Sequence, residues 1–188
     1  KELPLRLSEF GHVHRHELSG TLHGLTRVRA FTQDDAHIMC LLSQVKSEIK
    51  LILSLIKIVM KKADLIISKI VLSTMPSKAS GSIEIWNQAI NQLKEALNEE
   101  NQEYVIAEGD GAFYGPKIGI EMKDNFNRIW SCGTIQLDFV QPENFDLNCI
   151  NQQGEKERIV VIHQAMFGSL ERFFAICLEH HKGKLPYW

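Results

Sequence analysis

The chain has 188 residues, of which 44% are hydrophobic and 23% charged, the composition of an ordinary globular protein with a buried core. Its net charge of −2 gives no indication of a generally basic nucleic-acid-binding protein, so any RNA contact would need a local patch or further parts of the protein. The four cysteines contain no CxxC pair, which argues against a zinc ribbon and favours free thiols in a reducing cytoplasm.

No signal peptide is visible in the sequence. The most apolar run, residues 51–60, is far shorter than the roughly 20 residues that a membrane helix needs. We therefore expect no membrane association. Because the chain begins with Lys1 rather than methionine, we expect it to be a piece of a longer protein.

The first forty residues predict two strands joined by a loop. Residues 3–17 alternate in part between apolar and polar side chains, which indicates one or two strands. Residues 27–37 form the returning strand, and the glycines and serine of residues 18–26 predict a mobile loop that folds over a ligand.

Three histidines in the first strand raise the question of a metal site. His12, His14 and His16 would share one face of a strand, where they could bind a metal. Packed or solvated imidazoles are the better interpretation, because no carboxylate or cysteine at ligand spacing completes the set.

Two helices and a strand follow. Ser43 is a candidate N-cap for a helix that runs to about Lys62. The β-branched run of residues 65–73 predicts a strand that is buried on both faces. A second helix begins after Gly81-Ser82 and ends near Asn98. We expect the apolar stripes of both helices to pack in the core rather than to carry chemistry.

The second half of the sequence is rich in strands. Asp124-Asn125 is a hairpin turn signal, Gly168-Ser169 starts the final helix, and Gly183 and Pro186 terminate it. The predicted elements are strands at residues 104–108, 118–122, 126–139 and 158–163, a loop at residues 141–157, and a helix at residues 170–180. We therefore predict one α+β domain, an antiparallel β-sheet flanked by helices, without repeats or internal linkers.

The placement of arginines gives the first indication of chemistry. Arg15, Arg27 and Arg29 lie within fifteen positions of one another. Guanidinium groups held in strands can make paired contacts to phosphate oxygens, and Phe31 is available to stack on a base.

A fourth arginine is in an unfavourable position. Arg172 lies in the first turn of the final helix, where a cation opposes the helix dipole at a cost of about 0.3–1 kcal/mol if exposed. Two interpretations stay open from the sequence: an anion binds at that helix end, or the arginine folds back onto Glu171 or into solvent.

Several motifs resemble the class II aminoacyl-tRNA synthetases, in the form that threonyl-tRNA synthetases use. The pattern HRxE…GxLxGLxRVRxFTQDDAH, residues 14–37, resembles their second signature motif, and IHQAMFGSLERF, residues 162–173, resembles the third. EGDGAFYGPK, CGTIQLDF and the closing GxxPxW pattern match in the same order, so the resemblance covers the chain from Leu3 to Trp188. FTQDDAH and FYGPK together are much more specific than any single motif.

The resemblance implies a fold and a boundary. The fold would be the class II catalytic core, incomplete at its N-terminal side, and residues 1–188 would form a partial aminoacylation catalytic domain. The first signature motif, the editing domain and the anticodon-binding domain would all lie outside this chain.

The resemblance also implies a role for each site residue. Arg15, Arg172 and Lys117 would be catalytic. Arg15 would hold the α-phosphate of ATP, Arg27 and Arg172 its outer phosphates together with Mg²⁺, and Phe31 and Arg172 would sandwich the adenine near Glu17. The residues implied for substrate binding are Gln33, Asp35, Tyr114, Thr134, Gln136 and Ser169. Among these, Asp35 would accept a hydrogen bond from the threonine hydroxyl, and Lys117 and Gln33 would suit the substrate carboxylate and the α-phosphate.

A zinc site is implied as well. In the family, the positions of His37 and His163 bind a Zn²⁺ that recognises threonine through its amino and hydroxyl groups, which separates threonine from its near-isostere valine. The third ligand is a cysteine expected upstream of Lys1. Cys40 and Cys132 could substitute in principle, although Cys40 is poorly placed. Gln164 stands where the family usually has arginine.

We therefore compare two functional hypotheses. The first is the core of a threonine–tRNA ligase, which makes threonyl-adenylate from ATP and threonine and passes the acyl group to tRNA(Thr). Such an enzyme would be cytoplasmic, homodimeric when complete, and independent of DNA, and the isolated piece would be inactive or weakly active. The alternative is a synthetase-like paralogue that serves as a non-catalytic RNA-binding or regulatory module. An unrelated α+β interaction domain is a remote third interpretation.

Overall fold

The computed structural model describes residues 3–151 and 153–185. Along these residues the chain forms, in order, β1 (Leu5–His14), β2 (Ala30–Cys40), α1 (Val45–Lys62), β3 (Ile66–Ser73), α2 (Ile83–Glu99), β4 (Val105–Ala107), β5 (Lys117–Lys123), β6 (Ile129–Asp138), α3 (Val140–Asn144), β7 (Asn148–Ile150), β8 (Lys156–Arg158), β9 (Val160–Ala165) and α4 (Leu170–His180). Within the described ranges, no helix is both long enough and apolar enough to cross a membrane.

Seven of the strands form one sheet in the order β1-β2-β9-β6-β5-β3-β4. Neighbouring strands are antiparallel throughout, except for the parallel pair of β3 and the short β4. The predicted α+β class, with a largely antiparallel sheet flanked by helices, is confirmed. β7 and β8 form a separate two-stranded hairpin.

The core lies between this sheet and helices α1 and α2. On α1 the residues Ile49, Leu53 and Ile56 are almost completely buried, and on α2 Trp86 and Leu93 are inaccessible to solvent. Full burial of each such side chain contributes about 1.5–3 kcal/mol. Both helical stripes therefore pack in the core, as the spacing predicts.

Strand alternation divides the sheet into a core face and an open face. On β5, Ile118, Ile120 and Met122 are buried, and the residues between them are only partly covered. On β2, Ile38 and Cys40 point into the core. Because side chains alternate along a strand, the odd-numbered residues of β2 fall on the opposite face. That face carries the candidate site.

The turn between β5 and β6 is built on a buried carboxylate, as predicted for Asp124-Asn125. Asp124 accepts hydrogen bonds from the backbone amides of Phe126 and Arg128, the Arg128 guanidinium and the Trp130 indole. Burial by itself would raise the pKa of this carboxyl, but the hydrogen bonds from Trp130 and Arg128 outweigh it and lower the pKa to about 2.

The predicted start of α1 is wrong by one residue. The N-cap is Gln44, because residues 42–44 form a short 3-10 turn that includes Ser43. The side chain of Gln44 accepts a hydrogen bond from the Leu41 amide, which closes this turn. The other two predicted starts are confirmed, since the hydroxyls of Ser82 and Ser169 cap α2 and α4.

The prediction that residues 65–73 are buried on both faces is wrong for the first half of β3. Ile66 is 68% exposed, whereas Ile70, Leu72 and Ser73 are buried. β4 pairs only with residues Val71–Ser73, so the beginning of β3 is an uncovered sheet edge.

The prediction of a loop at residues 141–157 is also wrong. This segment contains most of α3 and the β7–β8 hairpin, while the following strand begins at Val160 rather than at residue 158. The carboxylate of Asp138 caps α3 by accepting the amides of Val140 and Gln141. The predicted role of Pro186 lies outside the described residues.

Candidate active site

The open face of the sheet carries a cavity of about 290 Å³. Its walls come from the β1–β2 connection, strands β2 and β6, and the beginning of α4. Nine of the site residues implied by the sequence motifs line it: Arg15, Glu17, Arg27, Phe31, Gln33, Thr134, Gln136, Ser169 and Arg172. Residues as far apart as 15 and 172 therefore converge on one cavity.

Arg15 and Phe31 form one wall of the cavity. The Arg15 guanidinium carbon lies 5.5 Å from the centroid of the Phe31 ring, and the Arg15 amide donates to the Arg29 carbonyl at 2.7 Å. Phe31 is 8% exposed. A cation beside an aromatic face offers a charged end and a flat apolar surface, which suits the phosphate and the base of a nucleotide.

Glu17 pairs with Arg27 at the mouth of the cavity. Nη2 and Nε of Arg27 donate to Oε2 of Glu17 at 3.0 and 3.2 Å. Arg29 instead donates to the Glu17 carbonyl and to the Ser19 hydroxyl, both at 3.0 Å. Arg29 therefore holds the β1–β2 connection together and does not line the cavity, unlike the other two arginines of its group.

Arg172 does not fold back onto Glu171. Its Nε donates to the Thr26 carbonyl at 2.7 Å, and its side chain lines the cavity. Glu171 turns to the Thr32 amide, which donates to both carboxylate oxygens at 2.8 and 3.0 Å. Burial would raise the pKa of Glu171, but the amides of Glu171 and Thr32 keep it below its usual value. Arg172 thus faces the cavity, and Glu171 anchors the start of α4 to β2.

The loop before α4 is held by a second carboxylate. Asp34 accepts hydrogen bonds from the amides of Met166, Phe167 and Gly168, the shortest at 2.6 Å. Burial raises the pKa of Asp34, and these amides oppose the rise. Gly168 has φ +71°, and a Cβ there would lie 2.9 Å from the Cys132 carbonyl, so the loop requires glycine at this position.

Lys117 lies beside the cavity rather than in its wall. It pairs with Gln136 in the register of β5 and β6. Its Nζ lies 3.2 Å from Oδ2 of Asp110, which also accepts from the Ser73 hydroxyl at 2.9 Å. Hydrogen bonds from Ser73 and Lys117 lower the pKa of Asp110. A substrate anion would therefore compete with Asp110 for this ammonium.

A second group of polar side chains adjoins the cavity through Gln136. The Tyr114 hydroxyl donates to Oε1 of Gln136. The Tyr114 ring lies 5.8 Å from the His163 ring, and the rings of His163 and His37 lie 4.9 Å apart in a T-shaped arrangement. Direct pairing of His37 with His163 in the register of β2 and β9 causes this contact. Asp35 completes the group, 4.0 Å from Nδ1 of His37.

The profile of the family described as tRNA synthetase class II core domain (G, H, P, S and T) matches residues 1–181. The chain belongs to this family. It is 51% identical over 194 residues to a threonine–tRNA ligase from Natranaerobius thermophilus and 54% identical over 188 residues to one from Carboxydothermus hydrogenoformans. Both alignments cover 100% of this chain but only 29% and 30% of the ligases. The chain thus spans less than a third of the length of these relatives.

A solved structure of a class II synthetase supports the same assignment. The chain is similar to the RNA binding domain of threonyl-tRNA synthetase from Cryptosporidium parvum Iowa II, with a TM-score of 0.95 and 46% identity. The match covers 100% of this chain and 47% of that one. The resemblance to class II synthetases of the threonyl form is thereby confirmed.

His37 and His163, two of the three zinc ligands implied by the resemblance to the threonyl form, have surroundings that fit a metal. Nε2 of His163 lies 3.0 Å from Oδ2 of Asp138, a buried carboxylate. When Nε2 donates to Asp138, Nδ1 keeps the lone pair that a metal binds, an arrangement common around metal-bound histidines. Among residues 3–151 and 153–185, no third His, Cys, Asp or Glu joins His37 and His163 in a ligand cluster.

The two cysteines considered as substitute ligands are unsuited to the role. Cys40 and Cys132 are both buried, and burial raises the pKa of each thiol to about 12. A metal binds the thiolate, which such surroundings disfavour.

Sequence reasoning missed three carboxylates that position the class II site. Asp34 and Glu171 connect β2 to the start of α4, and Asp138 orients His163. Asp138 carried a usable signal, because the alternation of β6 places it on the same face as Gln136, at the end of a strand whose apolar residues near it are buried, and a buried carboxylate needs hydrogen-bond donors. The partners of the other two become visible only in the folded chain.

Proposed function

We propose that this chain is the catalytic core of a threonine–tRNA ligase, with residues 1–188 forming part of an aminoacylation domain. The reaction would be activation of threonine by ATP to threonyl-adenylate, followed by transfer of the threonyl group to tRNA(Thr). The observation that carries the proposal is the convergence of Arg15, Phe31 and Arg172 on one cavity beside the His37–His163 pair. A nucleotide site next to an amino-acid site is what adenylate formation requires.

The nucleotide would occupy the cavity between β2 and α4. Adenine would lie on the Phe31 ring, with the Arg172 guanidinium on its other side and Glu17 near the exocyclic amino group. Arg15 would contact the α-phosphate, and Arg27 the outer phosphates, with Mg²⁺ neutralising part of their charge. Catalysis would then consist of positioning and of electrostatic stabilisation at the α-phosphate, where charge develops.

Binding of ATP would exchange hydrogen bonds that the protein makes with itself. Arg27 is bound to Glu17, and Arg172 is bound to the Thr26 carbonyl. Phosphate oxygens would replace Glu17 as the acceptor for Arg27, and the Arg172 guanidinium would leave the Thr26 carbonyl to stack on the adenine. Glu17 would be released to approach the adenine amino group, which is a donor.

Threonine would bind beside the α-phosphate, over Gln136. Gln33 and Lys117 would hold its carboxylate, while Asp35 would accept the side-chain hydroxyl. Tyr114 is fixed by its hydrogen bond to Gln136 and forms a wall of this subsite. Thr134 lies on the floor nearer to the nucleotide, and the Ser169 hydroxyl is already engaged with the Arg172 amide at the start of α4.

His37 and His163 would supply two ligands of a Zn²⁺, and a third would come from outside the described residues. When bound, such an ion supplies a Lewis acid that prefers oxygen and nitrogen ligands. Threonine offers a hydroxyl to this site and valine does not. An apolar pocket discriminates poorly between the two, at roughly 1–3 kcal/mol, whereas a site built to bind the hydroxyl rejects valine much more strongly.

The tRNA would be bound largely by other parts of the protein, because the net charge of this chain is −2. We place the ligase in the cytoplasm and expect a homodimer. The buried thiols of Cys40, Cys132 and Cys177 suit a reducing compartment.

The test is ATP–pyrophosphate exchange by the complete ligase that would contain this core. We expect exchange that depends on threonine and is not supported by valine. Arg15→Ala and Arg172→Ala should each lower kcat/KM by about 10²–10³-fold, the usual loss when one transition-state contact is removed. Arg158→Ala is the matched control, because that arginine lies in β8, pairs with Asp146 and is not among the residues that line the cavity. Threonine-independent exchange, or equal activity in all variants, would reject the proposal. The absence of exchange would reject it as well and favour a non-catalytic RNA-binding or regulatory module.

A further inference from the structure

A second cluster of metal-binding side chains lies at the opposite end of α4 from Arg172. Asp64 lies two residues after the end of α1, and His180 and His181 lie at the end of α4. One ligand atom from each residue lies within 4.8 Å of those of the other two. Eight residues separate Arg172 from His180, which is about 12 Å along a helix axis. The cluster is therefore distinct from the nucleotide cavity.

We propose that Asp64, His180 and His181 bind a divalent transition metal of the zinc class. Two imidazoles and one carboxylate are a common set of three protein ligands for Zn²⁺, with water in the fourth position. Oxygen-preferring ions such as Mg²⁺ and Ca²⁺ bind carboxylates and carbonyls instead, so two nitrogen ligands select against them.

The hydrogen bonds of His181 leave one ring nitrogen for the metal. Its Nε2 lies 3.0 Å from the Ala63 carbonyl, which can only accept a hydrogen bond. Nε2 must therefore carry the proton, and Nδ1 keeps the lone pair. A backbone carbonyl in this position is the usual partner of a metal-bound histidine.

The surroundings of His180 give separate support for a metal in this cluster. His180 is 5% exposed, and its Nδ1 is buried without a hydrogen-bond partner among the described residues. Its Nε2 lies 4.0 Å from Oδ2 of Asp64, too far for a hydrogen bond. Neither ring nitrogen of this buried imidazole therefore has a hydrogen-bond partner among the described residues, which is unusual in a folded protein. Nε2 is the nitrogen that faces Asp64, and a metal between them would give the ring the partner that it lacks.

The metal would join two segments that are distant in sequence. The end of α4 is already held by the Asn125 side chain, whose Nδ2 donates to the His180 carbonyl at 2.7 Å. A metal bridging Asp64 to both histidines would fix the α1–β3 turn against α4. The other end of α4 carries Ser169 and Arg172. The ion would therefore be a structural metal that stabilises the position of the helix next to the proposed nucleotide site.

Zn²⁺ itself is the probe. We expect calorimetric titration of the purified protein to show this site in addition to any site at His37 and His163. In the His37→Ala/His163→Ala background, one Zn²⁺ per chain should remain. In that background Asp64→Asn and His181→Ala should each weaken binding about tenfold or more, because one of three ligands is lost.

Two features keep this test decisive. Asp64→Asn preserves folding, because Asp64 is exposed and its φ of +57° is readily adopted by asparagine. His12→Ala/His14→Ala is the matched control, since it removes two other neighbouring histidines. With both made in the His37→Ala/His163→Ala background, Zn²⁺ should raise the Tm of His12→Ala/His14→Ala as much as that of the background, and should raise the Tm of Asp64→Asn much less. The proposal is overturned if that background binds no Zn²⁺, or if Asp64→Asn and His181→Ala bind it as tightly as their parent.

Discussion

Two substitutions of Asp138 should affect the stability of the fold and the metal affinity of His37 and His163 to different degrees. The Asp138 carboxylate is fully buried and accepts three contacts: the Val140 amide at 2.9 Å, the Gln141 amide at 3.0 Å, and Nε2 of His163 at 3.0 Å. Asp138→Ala leaves both amides without their acceptor. Each unsatisfied buried group costs about 1–3 kcal/mol, and the Gln141 amide is only partly buried, so we expect a loss of about 2–4 kcal/mol in unfolding free energy.

Asp138→Asn should behave differently. The amide oxygen can still accept from Val140 and Gln141, so the stability loss should be nearer 1 kcal/mol. The new NH₂ group faces His163, however, and it donates where the carboxylate accepted. Nε2 of His163 would then become an acceptor and the proton would move to Nδ1, the nitrogen needed for a metal. Metal affinity at His37 and His163 should fall about 10–100-fold.

Urea unfolding and Zn²⁺ titration of both variants measure these two effects. The titration is best done in the Asp64→Asn background, so that the second proposed site does not contribute. Wild-type Zn²⁺ affinity in Asp138→Asn would refute the orienting role of Asp138. Unchanged stability of Asp138→Ala, within 0.5 kcal/mol, would refute the capping of α3.

Three further predictions test the fold. The pKa of Asp124 is lowered to about 2 in the folded chain. The ionised carboxylate therefore stabilises the fold by up to about 2.5 kcal/mol above pH 4, and this stabilisation is lost as pH falls toward 2. The urea midpoint of Asp124→Asn should depend less on pH in this range than that of the wild-type protein. Gly115→Ala should destabilise the protein by several kcal/mol in a thermal melt, because its Cβ would lie 1.7 Å from the Leu137 carbonyl, whereas Gly20→Ala, with nothing within 4 Å, should be nearly neutral. Cys149 alone should react quickly with a thiol reagent in the native protein. The other three thiols are buried, and burial raises their pKa values to about 11–12. Rapid labelling of two or more thiols would contradict the packing described.

Local signals in the sequence were sufficient for most element boundaries. Ser82 and Ser169 cap their helices through hydrogen bonds to residues three positions away, which is information that a short stretch of sequence contains. The apolar stripes of α1 and α2 also follow from helical periodicity alone. By contrast, the β7–β8 hairpin has strands of three residues with little burial, so it shows no alternation to detect.

The exposure of the first half of β3 could not be predicted from its own sequence, because it depends on the length of the neighbouring strand β4. β4 covers only three residues of β3, which leaves Ile66 exposed although its sequence resembles that of a buried strand. Similarly, nothing in the spacing of His37 and His163, 126 positions apart, predicts their contact. The register of β2 against β9 creates it, and only the motif resemblance indicated that the two residues belong together.

The most direct test of the central claim is a crystal structure with a non-hydrolysable threonyl-adenylate analogue. We predict adenine between the Phe31 ring and the Arg172 guanidinium, the phosphate mimic at Arg15, and the threonyl group beside His37 and His163. An analogue bound elsewhere, or a Glu17–Arg27 pair that persists unchanged at saturating ligand, would contradict the account.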